Sequence, residues 1–241
     1  YDYEKDRYRI LETIKQYGQE KLKDANDTDV IFSRHLNYYL SFLEKANLKL
    51  EGSESVSWLE KLESEHNNLQ SAIEWSANGG DYEKGLQLSN LAGRFWIIRG
   101  HYTTGIKFIN KIIKKAQEAL SDPLGSAYCN IGNLTLLLGE YNEAVKYFEK
   151  SLSIFQATGN RSDIFHSKNG LGTIAFYRSN FEQALKYYEE CLEICRETEN
   201  KKGISYSLNN IGNALLSLGY NSRAKKIYEE SLELFRQSGL K

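Results

Sequence analysis

Gly132, Gly172 and Gly212 stand 40 residues apart, and a pattern travels with them. Twelve positions on come Ala144, Ala184 and Ala224, four further Phe148, Tyr188 and Tyr228, and three beyond those Ser151, Cys191 and Ser231. Seven after each glycine stands Gly139, Ser179 or Gly219. Self-similarity at a period of 20 to 50 residues marks a repeat architecture. Each unit here reads as two helices, with small residues where they cross closely and an aromatic ring filling the gap. The chain is therefore expected to be a helical solenoid, an architecture that offers extended binding surfaces.

Within one unit the helical evidence is periodic. Over 141–155 the apolar set Tyr141, Ala144, Val145, Phe148, Leu152 and Phe155 follows three-four spacing, as a buried helical stripe requires. Glu143, Lys146, Glu149 and Lys150 fill the opposite, solvated face. The partner helix, about 126–138, ends at Gly139, which suits a left-handed C-cap. A longer turn over 158–162 is expected to lead into the next unit. Upstream, Gly93, Gly100, Tyr102 and Gly105 reproduce the offsets of Gly132, Gly139, Tyr141 and Ala144, with Ile109 at the aromatic position. Thus 81–120 reads as a degenerate helical pair, and Pro123 opens the next helix near its first turn. Helical stretches are also expected over 28–50 and 53–78, closed by Gly79-Gly80. Trp58, Trp75 and Trp96 are assigned to core packing. Residues 1–11 alternate around Glu4-Lys5-Asp6 and read as a β-hairpin. A lone hairpin is marginal in water, and the chain opens with Tyr rather than Met, so it reads as a fragment.

The glycine, alanine, aromatic and small-residue order over 126–238 resembles the tetratricopeptide repeat, in a version of about 40 residues. The closing proline of that family is replaced by Gln156, Arg196 and Arg236, consistent with a second helix that runs on. Asn221 stands where Tyr141 and Phe181 lead one to expect an aromatic, so the last unit is expected to cap the array. The segment 7–22, RYRILETIKQYGQEKL, resembles the winged-helix-to-repeat junction of bacterial signal-transduction ATPases of the STAND class. The stretches 58–69 and 95–102 resemble that family's opening helices. The resemblance implies a sensor or regulatory arm of a larger ATPase or transcriptional regulator. It divides the chain into 1–25, a winged-helix remnant and linker helix; 26–120, degenerate helical pairs; and 121–241, three repeats. The expected fold is all-α: a right-handed superhelix of antiparallel helix pairs.

Composition restricts what such a scaffold does. The 31 basic and 32 acidic residues leave a net charge of −1, so nothing favours nucleic acid by field strength. The chain has no run long enough to span a membrane and no signal-peptide pattern. Cys129, Cys191 and Cys195 suit a reducing, cytoplasmic setting. Cys191 and Cys195 lie one helical turn apart, but no His or third Cys completes a metal site, and packing is the expected role. There is no phosphate loop, and His35, His66, His101 and His166 are dispersed. Neither enzymatic activity, nor a cofactor, nor a metal is expected.

The candidate site is then a surface. In paired-helix superhelices the first helix of each unit lines the concave side. Its inward positions, with Tyr177 flanking them, give the candidate peptide-binding residues Asn133, Asn169, Thr173, Phe176, Tyr177, Tyr206, Asn209 and Asn213. An amide carries donors and an acceptor, so a column of them can satisfy an extended peptide backbone. Phe176, Tyr177 and Tyr206 would supply aromatic anchors. Alternatively the asparagines, Asn130 and Asn210 among them, tie adjacent units together as a structural ladder. The inward positions carry no Lys or Arg, which argues against a clamp for a chain-terminal carboxylate. The expected partner is a protein or peptide segment, together with an upstream ATPase or winged-helix region of the same full-length chain. The alternative is an intrachain or homo-oligomeric assembly scaffold without a separate ligand.

Overall fold

The structure, a computed structural model, describes residues 12–116 and 120–237. Eleven α-helices are described: α1 (Glu12–Asp24), α2 (Thr28–Lys49), α3 (Ser55–Ala77), α4 (Tyr82–Arg99), α5 (Tyr102–Ile113), α6 (Asp122–Leu137), α7 (Tyr141–Thr158), α8 (Arg161–Tyr177), α9 (Phe181–Glu197), α10 (Lys201–Ser217) and α11 (Asn221–Gln237). No strand occurs among the described residues. The hairpin expected over 1–11 lies outside them. The chain divides into two compact units, 1–88 and 89–241, with the division inside α4.

In the first unit α2 and α3 pack together. Leu36, Leu43 and Ala46 of α2 and Leu62, Leu69 and Ile73 of α3 are fully buried, again at three-four spacing. Trp75 stacks on Phe32 at 6.0 Å. Trp58 is buried, with the ammonium groups of Lys61 and Lys45 at 4.7 and 5.7 Å from its ring centre. The carboxylate of Glu65 accepts from the Tyr39 hydroxyl at 2.5 Å and from Asn68 Nδ2 at 2.7 Å. This polar contact crosses from α2 to α3.

In the second unit α6–α7, α8–α9 and α10–α11 form helix pairs, and α7–α8 and α9–α10 join them in sequence. The reason for the repeating glycines is steric. A Cβ on Gly132 would stand 2.8 Å from Cε1 of Phe148, one on Gly172 2.8 Å from Cε1 of Tyr188, and one on Gly212 2.5 Å from Cε1 of Tyr228. Real Cβ atoms do not approach that closely, so each glycine admits the ring of its own pair. Ser151, Cys191 and Ser231 do more than stay small. Each donates to a carbonyl of the preceding helix, Gly125 at 2.8 Å, Phe165 at 3.6 Å and Ser205 at 3.1 Å.

The turns repeat every 20 residues. Gly139, Gly159, Ser179, Glu199 and Gly219 all take the left-handed conformation, with φ of 79°, 74°, 60°, 53° and 82°. The next residue's N–H returns to a carbonyl five back in every case, from Glu140 to Thr135, Asn160 to Phe155, Asn180 to Ala175, Asn200 to Cys195 and Tyr220 to Leu215. This is the Schellman closure. The side chains of Asn160, Asn180 and Asn200 then accept from the N–H groups of Asp163, Gln183 and Gly203, capping the following helix. One residue pair thus ends one helix and starts the next. For this reason the connection over 158–162 is shorter than expected: α7 runs through Thr158, and α8 begins at Arg161.

Candidate functional site

The first helices α6, α8 and α10 neighbour one another, so equivalent positions on them form a continuous face. The structure separates its asparagines into two sets. Asn90, Asn130 and Asn210 belong to a column at intervals of 40, interrupted by Gly170. Asn130 Nδ2 donates to Asn90 Oδ1 at 3.2 Å, and Asn90 Nδ2 donates to the Pro123 carbonyl at 2.8 Å. Asn210 Nδ2 donates to Asn169 Oδ1 at 2.9 Å. These amides are half-buried and bond one helix pair to the next. Gly170 interrupts the column because a Cβ there would meet Cζ of Phe148 at 2.3 Å. Asn169, one position earlier, takes the acceptor role instead.

The other set lies off that column. Asn209 and Asn213 are exposed, while Asn133 and Thr173 are half-buried. The Asn133 amide reaches the Cys129 sulfur at 3.9 Å, a weak contact. Asn213 Oδ1 accepts from the Tyr228 hydroxyl at 2.6 Å. Thr173 Oγ1 donates to the Asn169 carbonyl at 2.9 Å and faces the Tyr188 hydroxyl at 3.5 Å. The Thr173 hydroxyl is therefore engaged inside its own helix pair.

The aromatic candidates divide in the same way. Phe176 is half-buried, meeting Phe181 edge-on at 5.3 Å and packing on the cluster around Tyr188 and Leu208. Its role is chiefly within the array. Tyr177 is 59% exposed and stacks on Tyr141 at 5.9 Å. Tyr206 is 49% exposed. His166 lies on the same helix as Asn169 with an exposed ring. Desolvation holds its imidazole below the ordinary histidine value, with Asp163 pulling the other way.

A cleft of about 610 Å³ lies along the seam of α7, α8 and α9. Lys168 and Glu190 meet there as an ion pair, both largely covered, beside Phe155 and Ile164. Sequence reasoning passed over Lys168, since a lysine on a surface helix reads as solvated. The cysteines are buried. Burial pushes the Cys129 thiol up to about 12 and the Cys195 thiol up to about 11. These groups are neutral packing atoms at physiological pH.

Comparison with known proteins agrees with this geometry. Residues 123–197 and 163–237 match the tetratricopeptide repeat model. Residues 123–237 carry tetratricopeptide repeats. Over 108 residues, 45% of the chain, the sequence is 32% identical to a Mycobacterium tuberculosis H37Rv protein named "Putative HTH-type transcriptional regulator Rv0890c". The match spans 12% of that protein's length. Among solved structures, the apo form of RapI superposes with a TM-score of 0.66 at 13% identity, covering 84% of this chain and 72% of that one. NprR in complex with its cognate peptide NprX superposes with a TM-score of 0.63 at 19% identity, covering 92% and 61%. At such identities the likeness shows the fold. Among the described residues no helix is long and apolar enough to cross a membrane.

Proposed function

We propose that the array binds an extended protein or peptide segment along α6, α8 and α10, and serves as the regulatory arm of a larger regulator. One observation carries this reading: the amides at Asn133, Asn209 and Asn213, with Tyr177 and Tyr206, are wholly or partly exposed on α6, α8 and α10, while a different set of asparagines bonds one helix pair to the next. The candidate contact residues are uncharged, so recognition rests on backbone hydrogen bonds and aromatic burial. A salt-insensitive affinity follows. The peptide-bound NprR neighbour supports a peptide ligand for this fold. The curated relative's name supports a transcription-regulating context, and the resemblance at 7–22 supports an ATPase and winged helix as its intrachain partners.

Two neighbouring substitutions test the site. Asn209→Ala should weaken binding of a peptide selected from an unbiased display library by about 1–3 kcal/mol, since its backbone partners lose their hydrogen bonds. It should leave the melting temperature nearly unchanged. Asn210→Ala should do the reverse, because it strands the Asn169 acceptor inside the array. If Asn209→Ala lowers stability and spares affinity, the assignment of this face is wrong.

A further inference from the structure

The repeat supplies a cation at one seam that it omits at another. Positions 190 and 230, 40 residues apart, both carry glutamate, while positions 156 and 196 carry Gln and Arg. Arg196, in the last turn of α9, reaches α11 and donates from Nη2 to Glu230 Oε1 at 3.1 Å. One unit earlier the equivalent residues are Gln156 on α7 and Glu190 on α9, and the arginine is missing. Both line the cleft of about 610 Å³, together with Glu193 and the buried Phe155, Ile164 and Ile194. The charges in this cleft do not balance. Arg161 is held by Glu197, and Lys168 by Oε2 of Glu190. Glu193 stands in the field of Arg161, but it has no ion-pair or hydrogen-bond partner among the described residues, and neither has Oε1 of Glu190.

We propose that this cleft docks an arginine side chain of a partner protein, in the place that Arg196 fills at the next seam. Charge complementarity and the internal template both argue for it. Glu190 and Glu193 are three residues apart on α9 and so lie on one side of the helix. A guanidinium is planar with five N–H donors, and it bridges two such carboxylates where the point charge of a lysine does not. Its three-carbon stem is apolar and suits the walls formed by Phe155, Ile164 and Ile194. Arg196 reaches its carboxylate from the surface of a helix, so the occupant is a side chain carried on a polypeptide. The cleft contains none of the candidate contact residues along α6, α8 and α10, and the two sites are independent.

The probe is the capped peptide acetyl-Gly-Arg-Gly-amide, titrated at low salt into the full chain with its isoleucine methyl groups labelled for NMR. Saturable shifts at Ile164 and Ile194 are the expected result. The citrulline peptide, equal in shape but uncharged, should bind about tenfold more weakly or worse, as should the arginine peptide to Glu193→Gln. Gln156→Arg should bring its own guanidinium into the cleft and abolish binding. Neither variant should lower the thermal midpoint, because residues 156 and 193 are exposed. Absence of shifts at Ile164 and Ile194, equal binding of the citrulline peptide, or undiminished binding to Gln156→Arg would each overturn the proposal. Tighter binding of free arginine than of the capped peptide would give the cleft to a small molecule and likewise overturn it.

Discussion

The α4–α5 pair and the three pairs that follow it solve one packing problem in two ways. In the regular pairs the glycine sits on the first helix and the ring comes from the second, as Gly172 and Tyr188 do. In α4–α5 the equivalent of the ring is Ile109, and Gly93 faces Asn130 of the next pair, 2.9 Å from where its Cβ would be. The ring is supplied instead by Trp96 on the first helix, and the gap by Gly105 on the second, whose Cβ would lie 2.8 Å from the indole Cε3. Large and small have exchanged helices. A close crossing needs one small residue and one filler, whichever side each comes from. A repeat signature records only the commoner of the two arrangements.

The sharpest way to break this comparison is to remove the exchanged filler. Trp96 is fully buried, and Trp96→Ala should cost about 3–5 kcal/mol, as Phe148→Ala should in the regular array. Urea denaturation of the two variants compares them directly. A loss below about 1 kcal/mol for Trp96→Ala would show that α4–α5 is not packed as an equivalent pair.

How far the sequence reached follows the same physics. The glycine-ring pairs were legible because sterics ties one residue type to another at fixed spacing. Two things were not. The 20-residue period of Asn160, Asn180 and Asn200 is hidden under the 40-residue period, since these caps belong to both kinds of turn. The division between Asn209 and Asn210 was also out of reach: adjacent helical positions are about 100° apart, and which one meets the neighbouring pair depends on how the helices cross. Phe176 shows the same limit. Its apolarity suited a groove anchor, yet Phe181 and the core around Tyr188 hold it.

The next test sharpens the difference between the two kinds of glycine. Gly172→Leu should overpack the crossing with Tyr188 and cost about 1–3 kcal/mol. Gly93→Ala should cost less, because the atoms it meets are the end of the Asn130 amide, which can rotate away with loss of its bond to Asn90. Circular dichroism melts rank the two. A larger loss at Gly93 would mean that the amide column, and not ring packing, sets the crossing distance.

The thiols divide the regions by pH. All three cysteines lie in α6–α9 and none in α4–α5. Burial raises each thiol, so above the ordinary thiol value of about 8.5 the unfolded chain sheds protons that the folded chain keeps. Stability contributed by these groups is therefore present below that value and falls as pH rises above it. Hydrogen exchange between pH 8 and 10, corrected for its intrinsic pH dependence, should show the loss in α6–α9. A loss confined to α4–α5 would contradict the assignment of the thiols as neutral core atoms.

The smallest effect concerns the turns. Where Gly139 and Gly219 hold φ of 79° and 82°, Ser179 holds 60°. A side chain in that region is strained by its Cβ, while a glycine there loses more entropy on folding. The strain is the larger of the two at an enforced left-handed position, and the Asn180 to Ala175 bond at 2.9 Å enforces it. Ser179→Gly should therefore raise stability by about 0.5–1 kcal/mol, and Gly139→Ser should lower it by a similar amount. Because the Schellman closure is the same at both turns, the two shifts should nearly cancel in the double variant. A stabilising Gly139→Ser, or a destabilising Ser179→Gly, would mean that these turns are not equivalent and that the 20-residue register stops at the backbone.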